Sequence, residues 1–204
     1  MTGQAVNSTE HWSLILLTGG TGRRLDGMDK ATLDLAGTTP LELVLDTLPT
    51  RIPVVVAGDP VTTSRQVTFR REDPRGAGPA AGIAAALSDV STELVGILAV
   101  DMPWAVPVLM RAVDHLSINQ GADTVVPVDT EGRDQLLCSA WRTSALRRAV
   151  DRSGDLANRP VRDLLVNATV VDLPLLSEED LADIDTPEDL VRARDRAHQH
   201  GRRT

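Results

Sequence analysis

Leu94-Val95-Gly96-Ile97-Leu98-Ala99-Val100 and Leu14-Ile15-Leu16-Leu17 are apolar at every position rather than at every second one. That is the pattern of strands buried on both faces of a parallel sheet. Shorter runs of the same kind, Val54-Val55-Val56-Ala57, residues 67–70, Thr124-Val125-Val126-Pro127-Val128, residues 136–141 and residues 169–173, also read as strands. Segments of helical period lie between them. Pro40 stands where the first turn of a helix tolerates it, Leu41, Leu43, Val44, Leu45 and Leu48 follow, and Pro49 ends the pattern. Further helices are expected over 79–87, 105–116, 144–150, 161–166 and 187–198. Strands alternating with helices imply right-handed crossovers and a doubly wound, mostly parallel α/β sheet with helices on both faces, which binds ligands beyond the carboxyl ends of its strands.

With 204 residues, one hydrophobic core and one domain are expected, over 13–198. Residues 1–12 are polar and lack the basic start and apolar run of a signal peptide, so they read as a disordered lead-in, and 199–204 as a frayed tail. Aromatic residues are 2% of the chain, which makes the core aliphatic and argues against a base-stacking surface. A net charge of −8 excludes non-specific binding to nucleic acid or an anionic membrane. No apolar run approaches the roughly 20 residues of a membrane span. Cys138 is the single cysteine, so no intramolecular disulfide forms, and a reducing, cytoplasmic setting fits. A lone cysteine of this kind is more often a small buried hydrophobe than a nucleophile.

The stretch from Leu17 to Lys30 leaves the first buried strand. Thr18, Gly19, Gly20, Thr21 and Gly22 lead into Arg23 and Arg24, and Lys30 follows after Leu25, Asp26, Gly27, Met28 and Asp29. Glycines let backbone N–H groups approach phosphate oxygens, and the basic side chains neutralise their charge. The stretch is not a P-loop, because Met28 and Asp29 stand where that motif needs Lys and Ser or Thr. Nor is it a dinucleotide fingerprint, whose third glycine would fall at Leu25. A flexible surface loop is the alternative.

The same stretch resembles the signature of the molybdenum cofactor guanylyltransferase family, Leu-Ala-Gly-Gly, two variable positions, Arg-Met-Gly, and then Asp-Lys. Thr18 replaces its Ala, Leu25 its Met and Asp26 its Gly. Four more blocks resemble that family in order: Gly78-Pro79-Ala80-Ala81-Gly82, Val100-Asp101-Met102-Pro103, Gln135-Leu136-Leu137-Cys138, and Asp183-Ile184-Asp185-Thr186-Pro187-Glu188-Asp189-Leu190. The resemblance implies a Rossmann-like nucleotidyltransferase fold that joins GTP to molybdopterin and releases pyrophosphate. Enzymes or chaperones that receive the finished cofactor are the protein partners it implies.

Asp101 ends the most apolar run, where nucleotide phosphates would lie. A helix N-cap is its alternative reading, against which Pro103 weighs by pushing Met102 out of the helical region. Near the other end, Thr186 can cap the last helix with Pro187 at its first position, so Asp185 is available as a second oxygen ligand; a solvated turn acid is the alternative. Mg2+ is the expected cofactor, since it takes a few carboxylates together with phosphate oxygens. Lys30 is expected to neutralise charge on the phosphates, with Arg23 and the amides of Gly19, Gly20, Thr21 and Gly22 holding the β and γ groups.

The resemblance also places nucleotide contacts at Leu17, Thr18 and Gly78, a guanine-reading acid at Asp73, with Glu72 competing, and acceptor contacts at Arg133, Gln135 and Arg162. The glycine pair Gly19-Gly20 favours GTP over CTP in that comparison. CTP as donor, a different phosphorylated acceptor, and a nucleotide-binding protein without catalysis are the rival readings.

Overall fold

In the computed structural model the described residues are 12–19, 21–22, 28–174 and 181–200. Residues 201–204 of the expected tail and 1–11 of the expected lead-in lie outside them; residues 199–200 belong instead to the last helix, and Trp12 already opens the first strand. The chain runs β1 (Trp12–Leu17), a two-residue ribbon of β2 (Thr21–Gly22) and β3 (Met28–Asp29), a 3-10 turn (Lys30–Thr32), α1 (Pro40–Thr47), β4 (Val54–Ala57) and β5 (Thr68–Arg70). It continues through α2 (Pro79–Leu87), β6 (Leu94–Ala99), α3 (Val106–Ile118), β7 (Thr124–Val128), β8 (Cys138–Arg142) and α4 (Thr143–Ser153). A second 3-10 turn (Val161–Leu165), β9 (Val170–Pro174) and α5 (Pro187–His200) complete it.

Seven strands form one sheet in the order β5-β4-β1-β6-β8-β7-β9. All neighbours are parallel except at β8, which runs antiparallel to both β6 and β7. The apolar pattern of residues 136–141 identified a strand without giving its direction. A short turn sets it: Asp129 Oδ1 accepts from the N–H groups of Glu131 at 3.0 Å and Arg133 at 2.9 Å, reversing the chain too quickly for a parallel crossover.

Side chains of each inner strand divide between two cores. Leu14, Leu16, Val54, Val56 and Leu98 pack beneath α1 and α3 against Val44, Leu45, Leu109 and Val113. Ile15, Leu17, Val55, Val95 and Ile97 face α2 and α4 through Ile83, Ala86, Leu146 and Ala149. Each fully buried Leu or Ile contributes about 1.5–3 kcal/mol relative to an exposed one. A third cluster ties α5 to α1: Leu33, Leu35 and Leu43 meet Ile184, Leu190, Ala193 and Ala197. Trp12 and Trp141 are buried packing residues, and Trp141 Nε1 donates to Ser139 Oγ at 3.1 Å. Cys138 is fully buried with its thiol pushed up to about 12 by burial, the state of an inert core residue. No helix among the described residues is long and apolar enough to cross a membrane.

The order of strands sets the position of the site. From β1 the sheet grows through β4 and β5 to one side and from β6 to the other, so the crevice between the ends of β1 and β6 is a switch point. The bond from Val100 N–H to Leu17 O, at 2.9 Å, closes that seam and carries the β1 loop and Asp101 side by side.

Candidate active site

Lys30 begins the 3-10 turn as soon as the β2–β3 ribbon has folded the glycine-rich loop back on itself, with Thr21 opposite Asp29 and Gly22 opposite Met28. Its Nζ donates to Asp101 Oδ2 at 2.7 Å and, by a shorter contact, to Asp185 Oδ1. Residues 71 and 155 positions away along the chain thus meet on one ammonium group. Burial alone would lower the Lys30 pKa, but the hydrogen bonds and charges of the two carboxylates outweigh it and raise the pKa.

Asp101 is not a helix cap. The residue flanking α3 is Ala105, and a turn from Ala99 O to Met102 N–H at 3.1 Å separates Asp101 from the helix. Its carbonyl accepts the Ile184 N–H at 3.0 Å, and Ile184 is buried in the α5 cluster. This backbone bond fixes the distance between Asp101 and Asp185. The expected cap of α5 is present: Asp189 N–H donates to Thr186 Oγ1 at 3.2 Å, and Thr186 N–H donates to Asp189 Oδ2 at 2.8 Å. Burial opposes the ionised form of Asp189, yet the bonds from Thr186 and Asp185 hold its carboxyl below the usual range. With the helix end satisfied by Thr186 and Asp189, the Asp185 carboxylate goes to Lys30.

Asp183 reports the local field. Burial, followed by the charges of Asp185, Asp101 and Asp189, raises its pKa. Two carboxylates, those of Asp101 and Asp185, stand against the one ammonium of Lys30. They are the residues that would hold a magnesium ion, a cation that takes a few carboxylates together with water and phosphate oxygens.

Beside this cluster lies a hollow of about 290 Å³ lined by Leu17, Gly19, Ala57, Glu72, Gly78 and Gly82, with Arg71 among the remaining lining residues. Gly78 has φ +93° and precedes α2. Gly82 lets α2 approach the sheet, because an added Cβ would lie 3.4 Å from Leu17 Cδ2 and 3.5 Å from Ala57 Cβ. Thr18 is buried and turned into the β1–β4 seam, where its hydroxyl and its N–H each donate to Ala57 O at 3.2 Å.

Gly58 makes room for that threonine: a Cβ there would stand 1.8 Å from Thr18 Oγ1 and 3.2 Å from Thr18 Cβ. Gly58→Ala is expected to cost about 1–3 kcal/mol, and adding Thr18→Ala should restore most of it. A urea-unfolding double-mutant cycle measures this coupling; additive losses would show that the two positions act separately.

Residues 14–170 match the MobA-like NTP transferase domain. The chain belongs to that family. It is 34% identical over 185 residues to a probable molybdenum cofactor guanylyltransferase of Mycolicibacterium paratuberculosis, covering 86% of this chain and 91% of the relative. It is also 34% identical over 158 residues to the molybdenum cofactor guanylyltransferase of Acidiphilium cryptum, covering 72% and 76%. Its fold is that of molybdopterin-guanine dinucleotide biosynthesis protein A from Archaeoglobus fulgidus, with a TM-score of 0.69, 23% identity and coverage of 92% and 99%. A 2-C-methyl-D-erythritol 4-phosphate cytidylyltransferase from Thermus thermophilus shares it too, with a TM-score of 0.68, 22% identity and coverage of 91% and 98%.

On this family fold the remaining expected site residues divide. Leu17, Gly19 and Gly78 line the hollow, and Lys30, Asp101 and Asp185 form the charged cluster. Asp73 is exposed and does not line the hollow; Glu72 does. Arg133 is exposed and paired with Asp129 at 2.7 Å and Glu131 at 2.9 Å, while Gln135 Nε2 donates to Asp129 Oδ2 at 3.0 Å. Arg162 is exposed on its 3-10 turn, and none of these three acceptor-side residues lines the hollow. Gly20 and Arg23 lie outside the described residues, as do Arg24, Leu25 and Asp26; Thr21 and Gly22 are described through the backbone of β2.

Ala57 and the Ile184–Asp101 bond are parts of the site that sequence reasoning missed. Ile184, an apolar residue between two acids, carried the available signal.

Proposed function

We propose that this protein is a cytoplasmic, magnesium-dependent guanylyltransferase that transfers GMP from GTP to molybdopterin and releases pyrophosphate. The observation that carries this reading is the pairing of one lysine with two carboxylates, Lys30 with Asp101 and Asp185, at the switch point and next to a glycine-lined hollow of about 290 Å³. The names of the molybdenum cofactor guanylyltransferases it resembles support the choice of substrates.

In this chemistry the phosphate of molybdopterin attacks the α-phosphorus of GTP in line, and the bond to pyrophosphate breaks. The protein's part is alignment and charge. Gly19 offers a backbone N–H at the end of β1, and Lys30 leaves its carboxylates to neutralise the charge that develops on the phosphates. Asp101 and Asp185 would hold magnesium, which supplies a second positive charge to the triphosphate. Arg23 completes the phosphate grip in this reading. A chromatographic assay of all four nucleoside triphosphates with molybdopterin tests the proposal: product should form with GTP and magnesium, and equal turnover with CTP would remove the guanine assignment.

A further inference from the structure

We propose that Lys30 is an internal stand-in for the divalent cation: its ammonium keeps free cation off Asp101 and Asp185, and it gives up the pair only to a cation that arrives on a triphosphate. This rests on the reading of the two carboxylates as magnesium ligands and adds the order in which the site fills. The ammonium donates to Asp101 Oδ2 at 2.7 Å and to Asp185 Oδ1, so it takes one oxygen from each carboxylate, as a small cation does. The second oxygen of each is no better placed, because a divalent ion there meets the ammonium charge across a single carboxyl group. Burial does not close the pair, since the Asp185 side chain is 41% exposed; the lysine does.

The type of residue suits an exchange of this kind. Among the 21 lysines and arginines of the chain, Lys30 is the single lysine. An ammonium is a compact point charge on a flexible stem, which can trade places with a metal ion, whereas a guanidinium is a planar fork that grips a carboxylate through two bonds. Free cation offers Lys30 nothing in return, for the displaced ammonium would lose two anionic partners and gain none. A triphosphate brings anionic oxygens for both cations, so Lys30 moves to the phosphates and releases its carboxylates.

The test compares binding of free Mn2+ and of magnesium-GTP to the wild type, Lys30→Met and Lys30→Met/Asp101→Asn, with Tm measured alongside. Free Mn2+, followed by electron paramagnetic resonance, should bind Lys30→Met about ten- to a hundredfold more tightly than the wild type, and the double variant should lose that gain. For magnesium-GTP the ranking should invert, with the wild type the tighter. A lysine that supports only the fold would leave free Mn2+ no tighter in the variant. A second measurement needs no lysine variant: acylation by an N-hydroxysuccinimide ester, read by mass spectrometry, reports on Lys30 alone among the side-chain amines. Its rate should be unchanged by magnesium alone and should rise in Asp185→Asn, where one carboxylate of the pair is gone. Equal Mn2+ affinities, a gain that survives Asp101→Asn, a Lys30→Met chain that also binds magnesium-GTP more tightly, acylation accelerated by magnesium alone, or acylation indifferent to Asp185→Asn overturns the proposal and leaves the guanylyltransferase reading standing. Failure of Lys30→Met to bind Mn2+ overturns the assignment of the two carboxylates as metal ligands together with it.

Discussion

Asp101→Ala is expected to reduce magnesium-dependent pyrophosphate release by about a thousandfold or more while the chain still folds. The carboxylate is one of two bound to Lys30, and in the proposed chemistry it also holds the ion that charges the triphosphate. The fold should survive because Asp101 contributes to architecture through its backbone: its carbonyl accepts the Ile184 N–H at 3.0 Å, and alanine keeps that bond. Loss of the side chain removes one of the negative charges that raise the Asp183 pKa, which offsets part of the lost pairing to Lys30. Turnover with GTP and molybdopterin, read beside the thermal unfolding curve, separates the two effects. A variant with near-normal turnover would remove Asp101 from the mechanism.

The apolar runs disclosed the sheet because burial on both faces leaves a one-dimensional trace. Val54–Ala57, Pro79–Leu87 and Thr124–Val128 have the limits that their patterns predicted. Strand direction leaves no such trace. Whether β8 runs with or against β6 depends on the turn that Asp129 organises, and an apolar residue pairs equally well either way. The lower limit of β1 was missed for a related reason: Trp12 and Ser13 precede the aliphatic run, and pairing with Leu94 and Val95 of β6 extends the strand to include them.

The site was legible where a motif carries its own geometry and obscure where it depends on what packs opposite. Lys30, Asp101 and Asp185 stood out through motif blocks resembling the family, with the end of an apolar run marking Asp101 and a capped helix freeing Asp185, and the fold brings the three side chains together. Choosing between Glu72 and Asp73 needs the direction of each side chain within a loop, which spacing does not encode. Arg133 and Gln135 illustrate the same gap, for both hydrogen-bond Asp129 in their own turn. A charged residue in a motif block has more than one partner within reach, and composition does not rank them.

Lys30→Met should produce the other large effect, in activity and in the pH dependence of stability together. Removing the charge that balances the phosphates is expected to lower turnover by about a hundred- to a thousandfold. In the wild type the Lys30 pKa is raised by its partners, so its contribution to stability is fully present below the unfolded lysine value and is lost only as pH rises through the folded one. At neutral pH the pair is intact. The variant leaves Asp101, Asp185 and Asp183 facing one another without the ammonium, a loss of about 1–3 kcal/mol for partly exposed groups.

Burial and the charges of its acidic neighbours already raise the Asp183 pKa, and loss of the ammonium adds to that repulsion, so the variant should regain stability relative to the wild type as pH falls and Asp183 takes up its proton. The Tm gap is therefore widest near neutral pH and narrows as pH falls. Magnesium should narrow it at neutral pH, since the same acids are the proposed ligands. A gap that is constant across pH and indifferent to magnesium would show that Lys30 supports the fold through packing of its methylene stem, and that its pairing with Asp101 and Asp185 adds nothing to stability.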